Sequence, residues 1–148
     1  MKTKITLFCL MFLLIAGMAN AQDAPKSIIN KDVRLTKYHD IKELERMQKG
    51  TLLELYSERI SVIIQTLPYI AFATKPGVTM ATFGIPDTKD NAKALDDQIE
   101  ATKNYFLSTM GFQNKILPYS DRSNLIAAIL FYEQTLKALH VYSQENRF

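Results

Sequence analysis

The chain has 148 residues, of which 47% are hydrophobic and 22% are charged, and its formal net charge at neutral pH is +3. This length and composition predict one globular domain with its own hydrophobic core rather than several domains. Basic residues form no stripe with interleaved aromatic residues, so the sequence does not favour binding to nucleic acid.

Residues 1–21 have the pattern of a secretory signal peptide. Lys2 and Lys4 form a short positive region, the apolar run Ile5 to Ala16 follows, and Ala19 and Ala21 occupy the small-residue positions before a cleavage site. The apolar run is about 12 residues long, which is shorter than the roughly 18 to 20 residues that a membrane-spanning helix needs. We therefore expect export to the periplasm or the extracellular space, with no membrane span in the mature chain.

Cleavage after residue 21 changes the chemistry of the remaining chain. It removes Cys9, which is the only cysteine, and the two lysines of the signal, so the net charge falls to +1. A mature chain without cysteine has no disulfide, no thiolate metal site and no cysteine nucleophile, and its stability must come from packing.

Residues 22–37 are expected to form an irregular N-terminal arm before a helical domain at residues 38–148. This stretch mixes the turn-forming Pro25, Ser27 and Asn30 with the apolar Ile28 and Ile29. We expect such an arm either to tether the domain or to pack along it.

The first long helix is predicted at about residues 41–67. Asp40 and Glu43 fit a capping box, and apolar residues recur at intervals of three and four from Leu53 onward. Gly50 lowers the helix propensity, so a break at that point is the main alternative. Pro68 is expected to end or kink the helix.

The stretch from Tyr69 to Pro86 is unusually apolar, with one charged residue, Lys75. A continued helix to residue 74 followed by an apolar loop is the preferred interpretation, and a short β-hairpin or a membrane-surface segment are alternatives. Pro76 and Gly77 fit a type II turn. Because apolar loops often mark binding surfaces, this stretch is the predicted partner-binding segment, unless its apolar residues plug one end of the bundle. The partner-binding candidates are Phe72, Pro76, Gly77, Met80 and Phe83.

Two further long helices are predicted at about residues 88–110 and 121–143. Asp87 or Thr88 caps the first, and Gly111 is placed to end it. The second contains eight consecutive apolar residues, 125–132, and is expected to be a central helix enclosed by its neighbours. The predicted fold is therefore all-α: a small antiparallel bundle of three long helices with an arm and an apolar inter-helix loop.

Catalytic motifs are not found in the sequence. It has no glycine-rich phosphate loop, no Gly-x-Ser-x-Gly elbow and no Glu-x-x-His metal motif, so no catalytic residue, metal site or cofactor is predicted. His39 is expected to be solvated at a helix start. His140 and Glu133 are the ligand candidates, since His140 could bond to that carboxylate, bind haem axially or act as a base.

The preferred function is that of an exported, non-enzymatic protein that binds other proteins, as an assembly component, adaptor, inhibitor or chaperone. One alternative is a carrier of an apolar small molecule or haem between helices, and a second is an enzyme that uses His140 and Glu133. The apolar faces predicted for the three helices are larger than the helices can easily bury against one another. We expect either a monomer in which the arm covers the excess, or a two-fold homodimer.

Overall fold

The structure is a computed structural model that describes residues 25–73 and 75–145. The predicted signal peptide, residues 1–21, lies outside the described ranges. Four α-helices follow one another along the described chain, which contains no β-strand: α1 (Ile41–Leu44), α2 (Lys49–Thr66), α3 (Lys89–Ile116) and α4 (Arg122–Glu145). The predicted all-α class is therefore confirmed. None of the helices in these ranges is long and apolar enough to cross a membrane.

The helix predicted as one element at residues 41–67 is two helices, so that prediction is wrong. The capping box forms as expected, with Glu43 N donating to Asp40 Oδ1 at 2.8 Å. Helix α1 nevertheless ends at Leu44, and α2 begins at Lys49, one residue before Gly50.

A distant arginine stabilises this break. The guanidinium of Arg122, at the start of α4, donates to the carbonyl oxygens of Glu45 and Met47, and the Met47 bond measures 2.7 Å. These carbonyls would otherwise be used by a continuous helix. The break also turns Leu44 into the core, where it is fully buried.

The connection between α2 and α3 pairs with the N-terminal arm. A 3-10 segment, Leu67–Tyr69, replaces the expected continuation of the helix toward residue 74, and another covers Met80–Phe83. Gly77 has a φ of +87°, and Val78 N donates to Lys75 O at 3.5 Å, which fits the predicted type II turn. The described residues on either side of this turn, up to 73 and from 75 onward, form no local hairpin.

The arm pairs with residues 77–79 through backbone contacts. Ile28 N donates to Val78 O at 2.8 Å, and Gly77 N donates to Ile29 O at 2.8 Å. An isolated antiparallel bridge joins Ser27 to Thr79.

Helix α3 starts as predicted but ends later. Thr88 is the N-cap and its Oγ1 accepts from Asn91 N at 3.2 Å. The expected stop at Gly111 is wrong, because the helix continues through Gly111 to Ile116. The chain then enters a third 3-10 segment, Leu117–Tyr119, where Pro118 cannot continue the α-helical hydrogen bonding.

The buried apolar residues form two clusters. The first joins the arm to α2, α3 and α4, and the second joins α1 to the same three helices. The first consists of Ile28, Ile29, Val33, Val62, Tyr69, Ala73, Leu95, Leu136 and Leu139. The second consists of Leu44, Leu52, Tyr56, Ile60, Met110, Leu125, Ile126 and Ile129. Three arm residues are thus part of the core.

Helix α4 is enclosed only in part, so the prediction of a fully surrounded apolar helix is wrong. Leu125, Ile126 and Ile129 are buried, whereas Ala127 and Phe131 are exposed. Helix α3 contributes only two buried residues, Leu95 and Met110, so it covers α4 incompletely.

Candidate interaction surface

A buried ion pair joins α2 to α4. The side chains of Arg59 and Glu133 are 0% and 1% exposed. Arg59 Nη2 donates to Glu133 Oε1 at 2.7 Å, and Arg59 Nε donates to the same oxygen at 3.2 Å. A buried charge needs such a partner, because transfer out of water strongly disfavours an isolated ion.

Residues 37–39, where the arm leads into α1, complete the hydrogen bonding of this pair together with Glu58, which accepts from Arg59 Nη1. Arg59 Nη2 donates to Lys37 O at 2.8 Å, and His39 N donates to Glu133 Oε2 at 2.8 Å. His39 Nδ1 lies 2.9 Å from Arg59 Nη2, and it is the acceptor in this contact because a guanidinium only donates. The Arg59 and Glu133 pair therefore fixes the end of the arm.

The expectation that His39 is solvated is wrong, since its side chain is 9% exposed. The charges of the pair also act on the neighbouring Tyr38. Partial burial is the main cause that raises the pKa of the Tyr38 hydroxyl, and the Glu133 carboxylate adds to this effect while Arg59 opposes it.

His140 and Glu133 do not come together. His140 is exposed, and its Nε2 lies 2.9 Å from Gln144 Nε2. The hydrogen bond between His140 and Glu133 that the sequence offered as one possibility is not formed. The Glu133 carboxylate accepts hydrogen bonds from Arg59 and His39 instead. Seven residues along a helix correspond to about 10 Å, which is too far for a shared proton. The buried pair has the geometry of a structural anchor.

The predicted partner-binding segment divides into two kinds of residue. Met80 and Phe83 are half-buried and pack against the first core cluster. Phe72 is 44% exposed, and its ring centroid lies 6.1 Å from that of Phe83 in an edge-on contact. Pro76 is exposed and Gly77 is half-buried, in the turn that pairs with the arm.

A second exposed apolar surface lies on the C-terminal half of α3. We define the α3 apolar surface as the exposed residues Tyr105, Leu107, Phe112 and Ile116, together with Tyr119 just after the helix. Phe112 is 68% exposed. Tyr105, Phe112 and Ile116 are spaced by seven and four residues, so they share one face of the helix.

The two halves of α3 differ in charge. Residues 89–103 include seven charged side chains, whereas residues 104–114 include none. Most residues of both halves are exposed. Both halves are similarly exposed to solvent, so a difference in exposure does not explain why the second half has no charged residue.

A groove between α2 and α3 adjoins this surface. It encloses about 410 Å³ and none of its lining side chains is charged. Tyr105 belongs both to the groove and to the α3 apolar surface, so the two features meet. The groove is lined by Ile63, Ile64, Leu67, Pro68, Gln98, Ala101, Thr102 and Tyr105.

Sequence reasoning missed this surface because Gly111 was taken as the end of the helix. A helix that ends at Gly111 would separate Phe112 and Ile116 from Tyr105. The signal that could have revealed the surface is the run of eleven uncharged residues at 104–114, between Lys103 and Lys115.

Comparison of the chain with known protein families, with characterised proteins and with solved structures gives no significant match.

Proposed function

We propose that this chain is an exported, non-enzymatic protein that binds another protein through the α3 apolar surface and the adjoining groove. The observation that carries the proposal is the exposure of Tyr105 and Phe112 within the uncharged residues 104–114, with Ile116 one turn further along the same face. Contiguous apolar patches on soluble domains usually mark interaction sites. Aromatic side chains are also enriched at such sites.

The partner that fits best is an amphipathic helix whose apolar face lies along α3. The groove offers an apolar cleft about 410 Å³ in volume, and neither the groove lining nor residues 104–114 carry a charge that a partner would have to neutralise. Helix-in-groove binding relies on apolar anchors at intervals of three, four and seven residues. The spacing of Tyr105, Phe112 and Ile116 presents the complementary ridge.

Residues 72–83 have two roles in this proposal, one in packing and one in partner contact. Packing of Met80 and Phe83 against the core supports the plug interpretation for these two residues. Pro76 and Gly77 supply the turn that the arm pairs with. The exposure of Phe72 supports a role as an additional partner contact.

The arrangement of the long helices is part of the same proposal. Leu95 near the start of α3 clusters with Val62 near the end of α2, and Met110 near the end of α3 clusters with Leu52 near the start of α2. These contacts support a three-helix bundle in which α3 runs antiparallel to α2. They leave the second half of α3 at the edge, where a partner can reach it.

Site-specific photo-crosslinking in the source cells tests the proposed function. A crosslinker at position 112 should form one dominant adduct with a second protein, and Phe112→Ser in a chain with the crosslinker at position 116 should reduce that adduct. The matched control is position 131, because Phe131 is 64% exposed but lies on α4. Equal adducts at positions 112 and 131, or adducts with a second copy alone, contradict the proposed partner.

Export is tested separately by the intact mass of the protein recovered from cells. Cleavage after Ala21 should leave Gln22 as the first residue. A chain that keeps Met1 to Ala21 in the cytoplasmic fraction would refute the exported location without affecting the binding surface.

A further inference from the structure

A second concave surface lies where the N-terminal arm crosses α3. It is a cavity of about 450 Å³, within the range of roughly 300 to 1,000 Å³ that is typical of small-molecule sites. Its apolar walls are formed by Ile28 and Ile29 of the arm, by Tyr69, and by Ile99 and Phe106 of α3. Ile99 is partly exposed, so the cavity opens to solvent along α3.

Within residues 25–73 and 75–145, the charged residues that line this cavity are all lysines. Lys26, Lys31 and Lys103 contribute to the lining, and no described aspartate or glutamate does. Lys26 Nζ is held by Asp96 Oδ1 at 2.7 Å. Lys31 and Lys103 make no hydrogen bond or ion pair within residues 25–73 and 75–145. The cavity thus combines apolar walls with two positive charges that have no acidic partner.

We propose that this cavity binds a single-chain amphiphile with an anionic head group, of the kind that a long-chain fatty acid provides. The hydrocarbon chain packs against the apolar walls, and the carboxylate pairs with Lys31 and Lys103. Charge complementarity determines the class of ligand, because the lining attracts an anion and offers no carboxylate to hold a cation. This activity does not depend on the protein-binding surface proposed above.

Displacement of a fluorescent fatty acid, 11-(dansylamino)undecanoic acid, from the purified protein tests the proposal. Hexadecanoate should displace the probe at one site per chain, below its critical micelle concentration. Hexadecanol has the same chain without the charge, and it should bind about threefold to tenfold more weakly because it makes no ion pair with either lysine. Hexadecyltrimethylammonium should bind more weakly still. Shortening the acid should weaken binding by up to about fourfold for each methylene that the walls no longer bury.

Lysine variants assign the head-group site. Lys103→Gln and Lys31→Gln should each weaken hexadecanoate binding by about threefold to fivefold and leave hexadecanol binding unchanged. The matched control is Lys115→Gln, which changes an exposed lysine of the same helix that does not line the cavity. Ile99→Glu should weaken hexadecanoate binding by at least about tenfold, because it places a carboxylate in the apolar wall. Melting temperatures of the variants establish that they remain folded.

Three results would overturn the proposal. The first is no displacement by any of the competitors. The second is that the acid and the alcohol bind equally and that Lys103→Gln does not change the binding of either. This result would show that the site is an apolar cleft without selectivity for an anionic head group. The third is binding to vesicles of anionic phospholipid without binding of monomeric hexadecanoate, which would indicate attraction to a membrane surface. None of these results bears on crosslinking at position 112.

Discussion

Arg59 and Glu133 are buried in the interior, whereas Tyr105 and Phe112 are exposed on the surface. Charged residues are rarely buried, and neighbouring large apolar residues are rarely exposed, so both regions are unusual. The interior charges have their partners within the chain: each other, the Glu58 carboxylate, His39 and the Lys37 carbonyl. The exposed aromatic residues of α3 lack comparable cover from the described chain. The difference separates a region whose composition stabilises the fold from one whose composition supports the proposed contact with another molecule.

Removal of one charge from the buried pair should have the largest effect on stability. Glu133→Ala leaves the buried Arg59 guanidinium with only the partly exposed Glu58 carboxylate as an ionic partner. Removing one partner of a buried ion pair typically costs about 3 to 5 kcal/mol of unfolding free energy. Urea denaturation measures this cost. Glu100→Ala is the control, because Glu100 is exposed on α3 and its loss should change the free energy by less than about 0.5 kcal/mol. A similar small change for Glu133→Ala would show that the pair does not anchor the fold.

Replacement of both charges should cost less than replacement of either one. Arg59→Met combined with Glu133→Leu removes both ions together, and apolar substitution of a whole buried pair is often close to neutral. The arm still loses the hydrogen bonds of His39 N and Lys37 O. We therefore expect the double variant to lie within about 2 kcal/mol of the parent. A double variant that loses the sum of the two single losses would contradict coupling between the charges.

Replacement of an exposed aromatic residue should leave the fold intact. Phe112→Ser should change the unfolding free energy by no more than about 0.5 kcal/mol, because its ring is mostly in water. Ile129→Ala provides the contrast, since Ile129 is fully buried and its truncation should cost about 2 to 5 kcal/mol. If Phe112→Ser proves as destabilising as Ile129→Ala, the α3 apolar surface is part of the core and not a binding surface.

A further expected effect concerns a buried tyrosine and appears only at high pH. Burial, together with a hydrogen bond to Tyr132, raises the pKa of the Tyr56 hydroxyl to about 12. The folded chain therefore holds this proton more tightly than the unfolded chain. Its contribution to stability is complete below pH 10 and is lost as the pH rises from about 10 to 12. A pH titration followed by tyrosinate absorbance should show one step near pH 12 for Tyr56, and this step should move to lower pH in Tyr132→Phe. An unchanged step would contradict the hydrogen bond.

Local sequence signals predicted the ends of helices where the deciding residues are neighbours. The capping box of Asp40 and Glu43, the N-cap at Thr88 and the effect of Pro68 all depend on residues within one helical turn. The periodic apolar residues were likewise sufficient to predict an all-α protein.

Features that depend on distant residues could not be predicted in the same way. The break between α1 and α2 is stabilised by Arg122, which is more than seventy residues further along the chain. Arg59 adjoins the apolar residues of α2, and its contacts with Glu133 and His39 from outside that helix explain why it can be buried. The arm pairs with residues 77–79 across about fifty residues, which no local pattern indicates. The α3 apolar surface could not be predicted, because a single glycine at position 111 does not end the helix.

The pairing of the arm with the turn at Gly77 also has a consequence for hydrogen exchange. The amides of Ile28 and Gly77 are protected by the same contact, since each donates to a carbonyl of the opposite segment. Detachment of the arm would release both amides together and would remove Ile28 and Ile29 from the wall of the 450 Å³ cavity. Any molecule that occupies this cavity must therefore slow the exchange of both amides, because opening of the arm and vacancy of the cavity are thermodynamically linked.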